Sequence, residues 1–173
     1  MNSRGFTLIE LLVVLVIIGV VVSLATIAFR DTRGEQLERE ARRLITVLEL
    51  AAEEATLKSS TLGLRVADDG YAFLRKPPMA DKWQLIEDDK ALSPRQVPAP
   101  LRLQLVVHGL NANKGKSPSK EEDKDKGVQP HLYLFSSGEL TPSFEINVTH
   151  PDLQQFYRIT GREDGKLEFH AED

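Results

Sequence analysis

Residues Leu11 to Phe29 are nineteen consecutive positions without a single charge, and a carboxylate, Glu10, stands directly before them. At a rise of ~1.5 Å per residue the run reaches about 28 Å as a helix, close to the hydrocarbon thickness of a bilayer. The chain is therefore expected to begin with a helix in lipid. A charge near the middle of such a helix costs roughly 2.5 to 3.5 kcal/mol on insertion scales, and intramembrane charges persist where a partner neutralises them. Glu10 calls for a cation at membrane depth.

A cut between Gly5 and Phe6 would supply one. The new α-amine on Phe6 would stand four residues before Glu10. With two such helices packed side by side at a small stagger, the amine of one copy meets Glu10 of its neighbour. The ion pair would offset the burial of both charges and set the register of assembly.

Gly5-Phe6-Thr7-Leu8-Ile9-Glu10, followed by the apolar run, resembles the class III signal of type IV pilins and type II secretion pseudopilins. The resemblance implies cleavage after Gly5 by a membrane-embedded prepilin peptidase, N-methylation of Phe6, and pairing of Glu10 with the N-terminus of an adjacent subunit. It covers the first thirty residues. Many pilins carry a proline late in this segment, where this chain has Ile27, so less of a fixed kink is expected.

Two plainer readings compete with it. A secretory signal would be cleaved after Ala25, but its apolar core spans roughly 7 to 15 residues and carries no carboxylate. A simple single-pass anchor would keep Met1. The mature N-terminus, Phe6, Thr26 or Met1, separates the three. Arg4 lies before the span and holds that end in the cytoplasm, while Arg30 and Arg33 argue weakly the other way. The expected location is the inner membrane, single-pass, with the C-terminal domain in the periplasm. The absence of cysteine is compatible with that compartment without pointing to it.

The domain reading follows: a leader over 1–5, a transmembrane helix half over 6–29, a periplasmic half over 30–60, and a β-rich periplasmic domain over 61–173. Leu37, Ala41, Leu44, Leu48, Ala52 and Ala55 recur at helical spacing among charged neighbours. The spacing predicts one nearly continuous helix from Phe6 to Ser59, about 80 Å long, with Gly34 as a weak point. Arg42-Arg43 is read as a solvated face rather than a lipid patch.

The rest reads as around eight short strands: 61–67, 71–76, 83–86, 101–107, 132–136, 144–149, 156–160 and 167–170. Asp68-Asp69-Gly70 and Gly161 to Gly165 mark turns. Residues 77–100 are expected to be mostly irregular. In Asn111 to Pro130, nine of twenty residues are Lys, Glu or Asp, none is aromatic, and Gly115, Pro118 and Gly127 interrupt the segment. Such a stretch buries too little apolar area to offset its ordering entropy, so 111–130 is read as a flexible charged loop. The fold class is α+β: a long N-terminal helix, its first half transmembrane, packed on a mainly antiparallel, sandwich-like β domain of two sheets.

Enzymatic chemistry finds no foothold. His108, His131, His150 and His170 are dispersed, without a two-ligand spacing. Asp68, Asp69, Asp81 and Glu87 to Asp89 lack a calcium-loop spacing. Ser136-Ser137-Gly138 is no nucleophile elbow, and Asn147-Val148-Thr149 has only the form of a glycosylation sequon. No catalytic residue, metal or cofactor is expected. The net charge of −4, with five acids against two basic residues after Gly161, argues against nucleic acid as a partner.

Leu134 to Ile146, with Gly138 and Thr141-Pro142 inside it, is similar to the strand, glycine turn, Thr-Pro, strand element of the H-type minor pseudopilins of general secretion and of related fimbrial minor pilins. That resemblance implies a structural subunit of the periplasmic pseudopilus, near its tip, supporting export of folded proteins across the outer membrane. The implied partners are other minor and major pseudopilins, the prepilin peptidase and the inner membrane, with secreted proteins or the outer-membrane channel as further candidates. The alternative is a minor pilin of a type IV pilus, acting in assembly initiation or DNA uptake.

Overall fold

The computed structural model describes residues 8–77, 82–112 and 128–173, and only the backbone over 24–31. Helix α1 runs through Leu8–Leu57. It does not break at Gly34, where a single glycine costs only about 1 kcal/mol of helix propensity. The helix stops by a Schellman motif. Ser60 N–H donates to the Ala55 carbonyl at 2.9 Å, Ser59 N–H donates to Thr56 at 3.2 Å, and Ser59 takes φ +47°.

Two compact units divide the chain, Met1–Gln36 and Leu37–Asp173. Among the described residues, the first contributes only helix, and the second holds the rest of α1 and eleven strands in two antiparallel sheets.

One sheet is built on β1 (Leu62–Ala67) and β2 (Gly70–Arg75), the hairpin expected around Asp68-Asp69-Gly70. A Cβ on Gly70 would run into the Arg95 carbonyl, so the turn needs glycine. β3 (Gln84–Leu85) and β4 (Arg95–Gln96) both pair with β2, and β7 (Leu132–Leu134) joins β1 to β8 (Leu140–Thr141). The other sheet runs in the order β11 (Leu167–Glu172), β10 (Phe156–Gly161), β9 (Phe144–Thr149), β5 (Arg102–Val107), β6 (Leu110–Asn111). In β9 and β10 the period-2 pattern is strict: Phe144, Ile146, Val148, Tyr157 and Ile159 are buried, and their chain neighbours are half-buried. His108 and Gly109, both at positive φ, form the two-residue turn between β5 and β6.

The core lies between the sheets and under α1. Leu37, Ala41, Leu44, Leu48 and Ala55 are buried as the spacing predicted, but the stripe is completed by Val47 and Ala51, whereas Ala52 is only partly buried. Backbone bonds also tie the sheets together. Leu103 N–H donates to the Asp68 carbonyl at 2.9 Å, and Leu140 N–H donates to Glu163 at 3.3 Å.

The eight expected strands are present, and β4, β6 and β8 add to them. Among the described residues of 77–100, only β3 and β4 are regular. Most of the expected charged loop, 113–127, lies outside the described residues. At its edges Asn111 closes β6, and Pro130 is buried against β1, where a Cβ on Gly63 would collide with its ring.

Candidate assembly surface

Gly5 and Phe6, the expected processing residues, lie outside the described residues. Glu10 lies in the first turns of α1, on an exposed surface. Around it every large apolar side chain is exposed, from Leu8 at 84% through Val14 at 44% to Val22 at 60%. A helix apolar on all sides needs an apolar surrounding, and none of the described residues provides it here. Among the described residues no helix is long and apolar enough to cross a membrane. The uncharged run continues to Phe29, beyond Ser23, where side chains are not described.

Where α1 enters the domain, the charges of residues 38–43 clamp it from both flanks. Toward the first sheet, Glu40 accepts two bonds from Arg95 Nη2, at 2.9 and 3.1 Å, and the Arg43 charge acts on the Tyr71 hydroxyl. Burial pushes the Tyr71 phenol above its ordinary value, against the pull of Arg43. Toward the second sheet, Arg42 pairs with Glu38 at 2.7 Å and lies 5.1 Å over the Phe169 ring, which stacks on Tyr157 at 5.2 Å. The Tyr157 phenol is also raised, by burial first and then by the Glu38 charge. Arg42 and Arg43, expected to form a solvated face, are exposed, yet the Arg42 head group also anchors the helix over Phe169. Sequence reasoning missed Glu40, Arg95 and Tyr71, because partners 55 residues apart leave no local pattern.

The other residues weighed for chemistry do structural work. His131 Nδ1 accepts from Val66 N–H at 3.2 Å, and the buried His150 accepts from Asp152 N–H at 3.1 Å. His170 faces Glu168 at 3.5 Å on β11, and His108 sits in its turn. Asp88 pairs with Arg75 at 2.8 Å, and this hydrogen bond holds its carboxyl below the usual range. Asp89 Oδ1 caps the Ala91 and Leu92 amides at 2.7 and 3.1 Å. Asp81 lies outside the described residues. Gly138 forms a turn at φ +89°, with its N–H bonded to the Phe135 carbonyl at 3.0 Å.

An apolar, exposed helical segment over Leu8 to Val22 and a two-sheet domain that holds its own helix by an apolar stripe and by charges at residues 38–43 are the parts of a pilin-type subunit. A model of the prokaryotic N-terminal methylation motif matches residues 1–26, and a model of type II transport protein GspH matches residues 40–165. The type II secretion system protein H of Aeromonas hydrophila is 31% identical, over 94% of this chain and 90% of the relative. That of Pseudomonas aeruginosa is 38% identical, over 81% of this chain and 80% of the relative. The crystal structure of the minor pseudopilin EPSH from the type II secretion system of Vibrio cholerae covers 78% of this chain and 93% of its own, at 27% identity and a TM-score of 0.58. The solution structure of Escherichia coli GspH shares the fold, with a TM-score of 0.57 at 18% identity, over 79% of this chain and 88% of its own.

The chain belongs to the family of type II transport protein GspH. Its α+β fold is that of the minor pseudopilins, and its function is that of a minor pseudopilin in type II secretion. The relatives compared carry secretion names, which disfavours the pilus alternative.

Proposed function

We propose that the chain is a structural subunit near the tip of the periplasmic pseudopilus and acts by assembly rather than by catalysis. In this reading a prepilin peptidase removes residues 1–5, Phe6 is methylated, and 6–29 anchors the protein in the inner membrane with 30–173 in the periplasm. Other minor and major pseudopilins are its direct partners. Assembly free energy comes from helix packing and from the pair between Glu10 and a neighbour's N-terminus. The observation that carries the reading is the stretch Leu8 to Val22, apolar and exposed on every side with a carboxylate within it.

Replacing Glu10 by Ala tests it. The variant should still insert in the membrane and yet lose most of its co-purification with neighbouring pseudopilins. Unchanged co-purification removes the ion-pair mechanism. N-terminal sequencing of the processed protein should begin at Phe6, and a start at Thr26 or Met1 overturns the processing.

A further inference from the structure

Three glutamates on the domain half of α1 hold cations: Glu38 pairs with Arg42, Glu40 with Arg95 and Glu54 with Lys58. Glu49 and Glu53 make no ion pair among the described residues, although both are exposed. They stand one helical turn apart, where like charges repel. Leu50 and Leu57 lie on the same outward face, 40% and 84% exposed.

Beside them runs a groove of about 500 Å³, lined by Ala52, Glu53, Thr56, Leu57 and Gly138. Its surface is apolar because Thr56 turns its hydroxyl back onto the Ala52 carbonyl at 3.1 Å. Gly138 brings only backbone to the far wall, and a Cβ there would meet nothing within 4 Å. Glu139, the next residue, is exposed and adds a third carboxylate to that side.

We propose that this groove docks an adjoining pilin-type subunit, which places an apolar side chain against Leu57 and Thr56 and an arginine or lysine between Glu49 and Glu53. An acidic rim repels anionic headgroups and phosphodiesters, which excludes a lipid surface or nucleic acid as occupant. It attracts a cation flanking an apolar anchor, and arginine is among the residue types enriched at protein interfaces. The identity of the partner rests on the assembly reading above, since α1 carries both Glu10 and this face.

The test uses the full-length chain, co-expressed in membranes with the other pilin-type subunits of its own system. A photo-crosslinking residue at position 57 should capture one of them. The double variant Glu49→Gln/Glu53→Gln should retain about one-tenth of the co-purified partner, with the difference shrinking as salt rises. Its melting temperature should stay the same or rise, because a repulsion has gone. Undiminished co-purification of the double variant, or crosslinks only to lipid or to an exported protein, overturns the docking site. If Glu10→Ala lowers co-purification while the double variant does not, the docking site alone fails. If the unaltered chain captures no pilin-type subunit, the assembly reading fails and the docking site falls with it.

Discussion

Gly165 and Gly34 are the same residue with opposite consequences. Gly165 takes φ +85° in the turn between β10 and β11, and a Cβ there would strike the Gly138 carbonyl oxygen. At this point the backbones of the two turns approach each other, at a joint between the sheets. Gly165→Ala should therefore cost about 2 to 4 kcal/mol, read as a lower denaturant midpoint with unchanged slope. Gly34 lies inside α1, where a Cβ would meet nothing within 4 Å. Gly34→Ala should stabilise the helix by up to about 1 kcal/mol, measured by circular dichroism of the detergent-solubilised chain. Tyr71 sets a pH limit. Its phenol, 2% exposed, is raised above 10.0 by burial, so the unfolded chain gives up this proton before the folded one does. The contribution is fully present below pH 10 and is lost as pH rises through the folded value. Tyr71→Phe should flatten this alkaline loss in pH-dependent unfolding, with a change of no more than about 1 kcal/mol at neutral pH.

At the scale of elements, α1 is held by an apolar stripe and by charged flanks, and the two should weigh differently. Leu44, buried in the core on the inner face of α1, should cost about 3 kcal/mol as Leu44→Ala. Arg95→Ala should cost about 1 to 2 kcal/mol, because Glu40 is left partly buried but within reach of water. Unfolding curves of the two variants rank these contributions, and an equal or reversed order would mean that the polar clamp dominates. The stripe was legible in the sequence because a helix on a core repeats its apolar residues at 3.6. Its C-terminal phase was not: Ala51 and Ala52 are indistinguishable by type, and only the packing of the folded core decides which is covered. β9 showed itself at both ends through strict alternation over six residues. β4, β6 and β8, of two residues each, have no period to show. The N-terminal motif was legible because its chemistry is local, six residues in a row. The groove at Gly138 was not, since its walls lie about eighty positions apart and only folding joins them.

For the whole molecule, the division at Leu37 carries a consequence for independent folding. Every residue of the buried cluster lies at or beyond Leu37, and both sheets close within that unit. Ahead of it stand apolar side chains exposed on all faces, which gain nothing from water. A chain beginning at Arg30 should therefore be soluble without detergent and unfold in one cooperative transition, whereas the full chain should require detergent or lipid. Calorimetry and urea unfolding of the truncated chain check this. A broad, non-cooperative transition would show that the first unit supplies part of the domain's stability. The same truncated chain should fail to co-purify neighbouring pseudopilins at low concentration despite its intact domain. The groove beside Leu57 offers a small, charge-dependent contact, and affinity is expected to become appreciable only when a shared membrane confines both partners and raises their effective concentration.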